Sequence, residues 1–87
     1  MRPISHFKTH LNDARATMKL RALVADLHLQ VRFLDQAIHD EEQRTGIFDA
    51  ANVAYPMLAR TLKGRRDNLL ATITMLMGHL GEANMAA

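Results

Sequence analysis

The sequence predicts an all-α fold: an antiparallel two-helix coiled-coil hairpin that assembles into a helical bundle by oligomerisation. Three observations predict it. The helix-favouring residues Ala, Leu, Met, Arg and Glu dominate the 87-residue chain. No Pro or Gly interrupts the stretch from Ile4 to Arg44, after which Gly46, Asp49, Asn52 and Pro56 crowd together. On either side of that cluster, apolar residues recur alternately every four and three positions, the signature of a coiled-coil seam.

The first helix is expected over about residues 4–44. Leu20, Val24, Leu27, Val31, Leu34 and Ile38 form its seam. Gly46, following Arg44, reads as its C-cap. The loop then spans about residues 45–55, with Asp49 able to cap a short helical turn over 49–54. Pro56 pushes Tyr55 toward extended conformations and suits the first turn of a second helix over about 56–81. The second seam is Tyr55, Ala59, Leu62, Arg66, Leu69, Ile73, Leu76 and Leu80. A short connection makes the helices antiparallel, so Ile38 falls near Ala59, Leu34 near Leu62, Leu27 near Leu69 and Leu20 near Leu76. The whole of 1–87 reads as one hairpin domain.

A second apolar row begins the chain: Ile4, Phe7, Leu11, Ala14 and Met18 cluster roughly opposite the 20–38 seam. The second helix is too short to cover it. Leu70 and Met77 likewise lie off the second seam. Ile4, Phe7, Leu11, Met18, Leu70 and Met77 are therefore the expected partner-binding or oligomer-forming surface. The alternative is that residues 1–18 fold back as a third helix; with no Gly or Pro to mark a bend there, a continuous helix and a homo-oligomer are favoured.

Several residues are expected to be fixtures of the hairpin. Arg66 occupies a seam position, where its stem covers apolar surface and its guanidinium leaves to pair with Asp35 on the facing helix, fixing register. Arg65 is grouped with it. Gly64 signals a close helix approach or a slight bend, or equally a tolerated surface glycine. Tyr55 is expected to plug the closed end against Ile38 and Ile47 or Phe48, with Pro56 starting the second helix. Asp40, Glu41 and Glu42 sit where a helix end disfavours negative charge. They read as a solvated cluster offset by Arg44, Arg60 or Lys63, with an acidic tip for a basic partner as the alternative.

Composition excludes several functions. With no cysteine, neither a disulfide nor a thiolate metal site is available. His6 and His10, with Asp13 one turn on, have metal-ligand spacing but no supporting motif, and read as solvated residues; His28, His39 and His79 stand alone. No nucleophile–base set, phosphate loop or paired-carboxylate cleft can be assembled. No enzyme activity, cofactor or small-molecule substrate is expected. The net charge of +2 is spread through mixed signs, so a basic helical oligomer that binds nucleic acid is only the alternative reading. No apolar run suffices for a membrane span, and the N-terminus lacks a signal-peptide core, so a cytoplasmic location is expected.

The region "DQAIHDEEQRTGIFDAANVAYPMLARTLKGRRDNLLATITMLMGHL" resembles the central hairpin of bacterial members of the FliJ family, small coiled-coil components of the flagellar type III export (type III secretion) apparatus. The resemblance is carried by Asp35, Ile38, Glu41, Glu42, Arg44, Gly46, Asp49, the run Ala54-Tyr55-Pro56, Ala59, and the run from Arg65 through Asp67 and Asn68 to Leu69. It covers about residues 20–80. It implies an elongated antiparallel coiled coil acting as a short member or paralogue. Its implied partners are the flagellar export ATPase or export chaperones.

Overall fold

The computed structural model describes the backbone from Arg2 to Ala86 and side chains from Asp13 to Glu82. Two helices pack against each other as a hairpin: α1 over Arg2–Thr45 and α2 over Met57–Ala86. The chain is a rod 68 Å long and 17 × 14 Å across. That length is what 44 helical residues reach at about 1.5 Å each. With 30 residues in α2, α1 is the longer helix by 14. α1 is continuous through residue 18, as the absence of breakers there predicts, and no third helix folds back. α2 runs five residues past the expected end at 81, because Gly81 alone does not stop a helix that no Pro follows.

The two seams pack as their spacing requires. Val24, Leu27, Val31 and Ile38 of α1 are buried, as are Tyr55 and the α2 residues Ala59 and Ile73. The remaining seam residues, Leu20, Leu34, Leu62, Arg66, Leu69, Leu76 and Leu80, are half-buried. The main cluster is Val24, Leu27, Val31 and Ile73, with Leu69, Leu76 and Leu80 packed on it. A two-helix core is thin: among the described residues no side chain reaches complete burial except the small Ala59, at 0% exposure.

The loop is ordered by its own backbone chemistry. Gly46 adopts the left-handed conformation, φ 73°, and its N–H donates to the Glu42 carbonyl at 2.8 Å. This closes α1 with the residue best suited to it. The Thr45 hydroxyl donates to the Glu41 and Glu42 carbonyls and accepts from the Ile47 N–H. Residues 49–54 are not the short helix that Asp49 could have started. They form two successive turns: Asn52 N–H donates to the Asp49 carbonyl and Tyr55 N–H to that of Asn52. The Asp49 and Asn52 side chains accept from Ala51 and Ala54 N–H at 2.9 Å each. Asp and Asn compete with helix in this way by mimicking the backbone. The Pro56 carbonyl accepts the first α2 hydrogen bond, from Arg60 N–H, so Pro56 stands at the cap of α2.

Gly64 is the tolerated surface glycine of the alternatives its sequence position allows. A methyl group there would meet nothing within 4 Å, so no close helix approach depends on it. Gly64→Ala should therefore stabilise the hairpin by about 1 kcal/mol, and Gly46→Ala should destabilise it by at least as much because of its positive φ. Paired urea titrations check the opposite signs.

Candidate interaction surfaces

The closed end of the rod is held by a polar lock around Tyr55. The ring is only 5% exposed. Its hydroxyl donates to the Glu42 carboxylate across the hairpin at 2.8 Å. Lys63 lies 3.6 Å from the same carboxylate, with its ammonium 4.9 Å from the centre of the Tyr55 ring. Arg60 stands over the ring at 5.6 Å and donates to the Ala50 carbonyl. The cations meet the negative ring face while the phenol satisfies the carboxylate. The nearby Tyr55 oxygen, and secondarily Glu42, hold the Lys63 ammonium above its ordinary pKa. A raised cation pKa stabilises below the ordinary lysine value and loses that contribution as pH rises through the folded value. Of the two loop residues expected beside Tyr55, Ile47 is half-buried, whereas Phe48 remains 55% exposed and is not a plug.

The acidic run divides among separate partners. Glu41 pairs with Arg44 one turn on, which lowers the Glu41 pKa and raises that of Arg44. Glu42 belongs to the Tyr55 lock, and Asp40 accepts from Gln36 at 2.8 Å. Farther along, Arg66 donates to Asp35 at 3.1 Å across the hairpin and to Asp67 beside it. Asp35, then Asp67, raise the Arg66 pKa. Arg66 is half-buried and Asp35 exposed, so the guanidinium leaves the seam as its position requires.

Arg65 does something different. Among the described residues it makes no hydrogen bond or ion pair, and it does not join the register pair. Instead it lines a shallow groove of about 280 Å³ with Gln30, Phe33, Leu34 and Leu69. Leu34 and Leu69 are half-buried, and Phe33 is 67% exposed. Phe33 lies off the seam rows, and sequence reasoning missed it.

Three of the predicted association residues lie among the described side chains. Met18 is exposed on α1, and Leu70 and Met77 are exposed on α2. Ile4, Phe7 and Leu11 have side chains outside the described residues, as do His6 and His10. The Met18 row continues at spacings of four, three and four through Ala22, Ala25 and Leu29, all exposed. The loop end adds exposed Val53, Met57 and Leu58. Among the described residues no group of His, Asp and Glu is arranged to hold a metal ion. Nor is any helix long and apolar enough to cross a membrane. No protein-family model, curated protein or solved structure matches the chain.

Proposed function

We propose that this chain is a non-enzymatic interaction module: a helical hairpin that associates with its own copies and presents its surfaces to protein partners in the cytoplasm. The supporting observation is the surface it leaves uncovered. The chain exposes 6791 Å², whereas a compact monomer of its mass exposes about 5,200 Å². The excess, about 1,600 Å² by that scaling, is roughly twice what each partner buries in a standard protein interface. It is also apolar in part, since Met18, Leu29, Phe33, Leu70 and Met77 are all exposed. A small helical protein without disulfides or metal gains stability most readily by covering such surface with another chain.

The resemblance to the FliJ family names the partners to try first, the flagellar export ATPase and export chaperones. The residues that carry it include the Tyr55–Glu42 lock and the Arg66–Asp35 pair, both of which span the hairpin. The first shapes the closed end and the second fixes register farther along the rod, leaving Phe48 and Val53 of the loop and Met57 at the start of α2 exposed for recognition. Titration of the purified chain into the purified export ATPase tests this reading. Saturable binding that weakens when Phe48 and Met57 are replaced by Ser is the expected result. Absence of binding to both the ATPase and the export chaperones would remove the export role and leave the self-associating module.

A further inference from the structure

We infer that a second copy of this chain occupies the Phe33–Leu34–Leu69 groove, with the twofold axis running along the rod and both loops at the same end. This rests on the self-association just proposed and specifies its face and geometry. The groove carries both halves of a self-complementary contact. Its α1 wall bears Phe33, a large ring standing in solvent. Its α2 wall is Arg65, and half-buried Leu34 and Leu69 form an apolar floor. A patch that presents a knob beside a matching hole is what an isologous interface requires.

Charge selects between the two ways of stacking the groove on its own copy. A twofold along the rod keeps the level of each residue and exchanges the walls. The α1 helix of one copy then lies on α2 of the other, and each Phe33 enters between Arg65 and Leu69 of the partner copy. There the guanidinium can cover the ring face, an arrangement attractive in itself. A twofold across the rod at the level of Phe33 would stack like on like. Asp26 and Asp40 lie seven residues to either side of Phe33, on the same face of α1, so that arrangement brings Asp26 of one copy to Asp40 of the other. It also brings Arg65 to Arg65. Like charges placed this way oppose docking.

The test uses the full chain, which has no native cysteine, labelled with a nitroxide at Val53→Cys, a fully exposed loop position whose side chain makes no bond. Sedimentation equilibrium should show a dimer. Phe33→Glu should raise its dissociation constant at least tenfold, and His28→Glu, exposed on the far side of α1 from Phe33, should leave it unchanged. Phe33 is exposed, so its replacement spares the core, and unchanged helical circular dichroism verifies this. The spin–spin distance should be under about 35 Å with shared ends, against about 45–50 Å with opposed ends at 1.5 Å rise per residue. A dimer insensitive to Phe33→Glu, one dissociated by His28→Glu, or one with the long distance overturns this interface while leaving self-association intact. A wild-type chain that stays monomeric, or binds only a foreign protein, overturns both.

Discussion

Tyr55→Ala should cost the hairpin about 3–5 kcal/mol, the range for truncating a large buried ring, whereas Arg66→Met should cost about 0–1 kcal/mol, the range for an exposed ion pair. The ring of Tyr55 is among the most buried large groups in the protein, at 5% exposure. Its loss also strips the half-buried Glu42 carboxylate of its hydroxyl donor, a further penalty of about 1 kcal/mol or more. Arg66 differs in both respects. Its partner Asp35 is half exposed to water, which screens the pair. Methionine keeps most of the aliphatic stem that covers the seam. Urea unfolding of both variants at one protein concentration gives the comparison. Equal losses would mean that the ion pair contributes as much to the hairpin as the ring, contradicting this assignment. Tyr55→Phe separates the two parts of the tyrosine: it keeps the packing and removes only the bond to Glu42.

Ile73→Ala should have a comparable effect, about 2–5 kcal/mol, through a different cause. Ile73 is the α2 member of the buried cluster and packs with Val24, Leu27 and Val31 of α1. At 3% exposure it removes more surface from water than its half-buried neighbours Leu69 and Leu76. A domain of this length has a total stability of about 4–13 kcal/mol, so a loss of this size removes a large share of it. Met75→Ala, two residues away but 57% exposed, is the internal control. Surface truncation of that kind stays within about 0.5 kcal/mol. Urea unfolding followed by circular dichroism at fixed concentration distinguishes them: the midpoint should fall well below that of the parent chain for Ile73→Ala and stay close to it for Met75→Ala.

The parts of the structure that were legible in the sequence are those set by periodicity and breakers. The two seams read from Leu20 to Ile38 and from Tyr55 to Leu80 are all buried or half-buried. Gly46 ends α1 where a left-handed cap was expected. Arg66 meets Asp35 because a seam position with a long cationic side chain has one nearby carboxylate across the hairpin. What periodicity does not encode was missed. Asp49 and Asn52 bond their own backbone in preference to starting a helix, a local competition that spacing cannot decide. The partner of the Tyr55 hydroxyl escaped notice because Glu42 was read as part of an acidic run. Its place one turn beyond Ile38, beside the seam row, was the available signal. Phe33 and Arg65 belong to no row on either helix, and the groove they share exists only once the helices are side by side.

The central claim is that this hairpin depends on association for its stability. The most direct measurement is the thermal unfolding midpoint over a hundredfold range of protein concentration. Coupled assembly makes the midpoint rise with protomer concentration, because the folded copies are drawn into the complex by mass action. The account predicts that rise, together with sedimentation as an oligomer at the upper end of the range. A midpoint independent of concentration, in a chain that sediments as a monomer throughout, would contradict it.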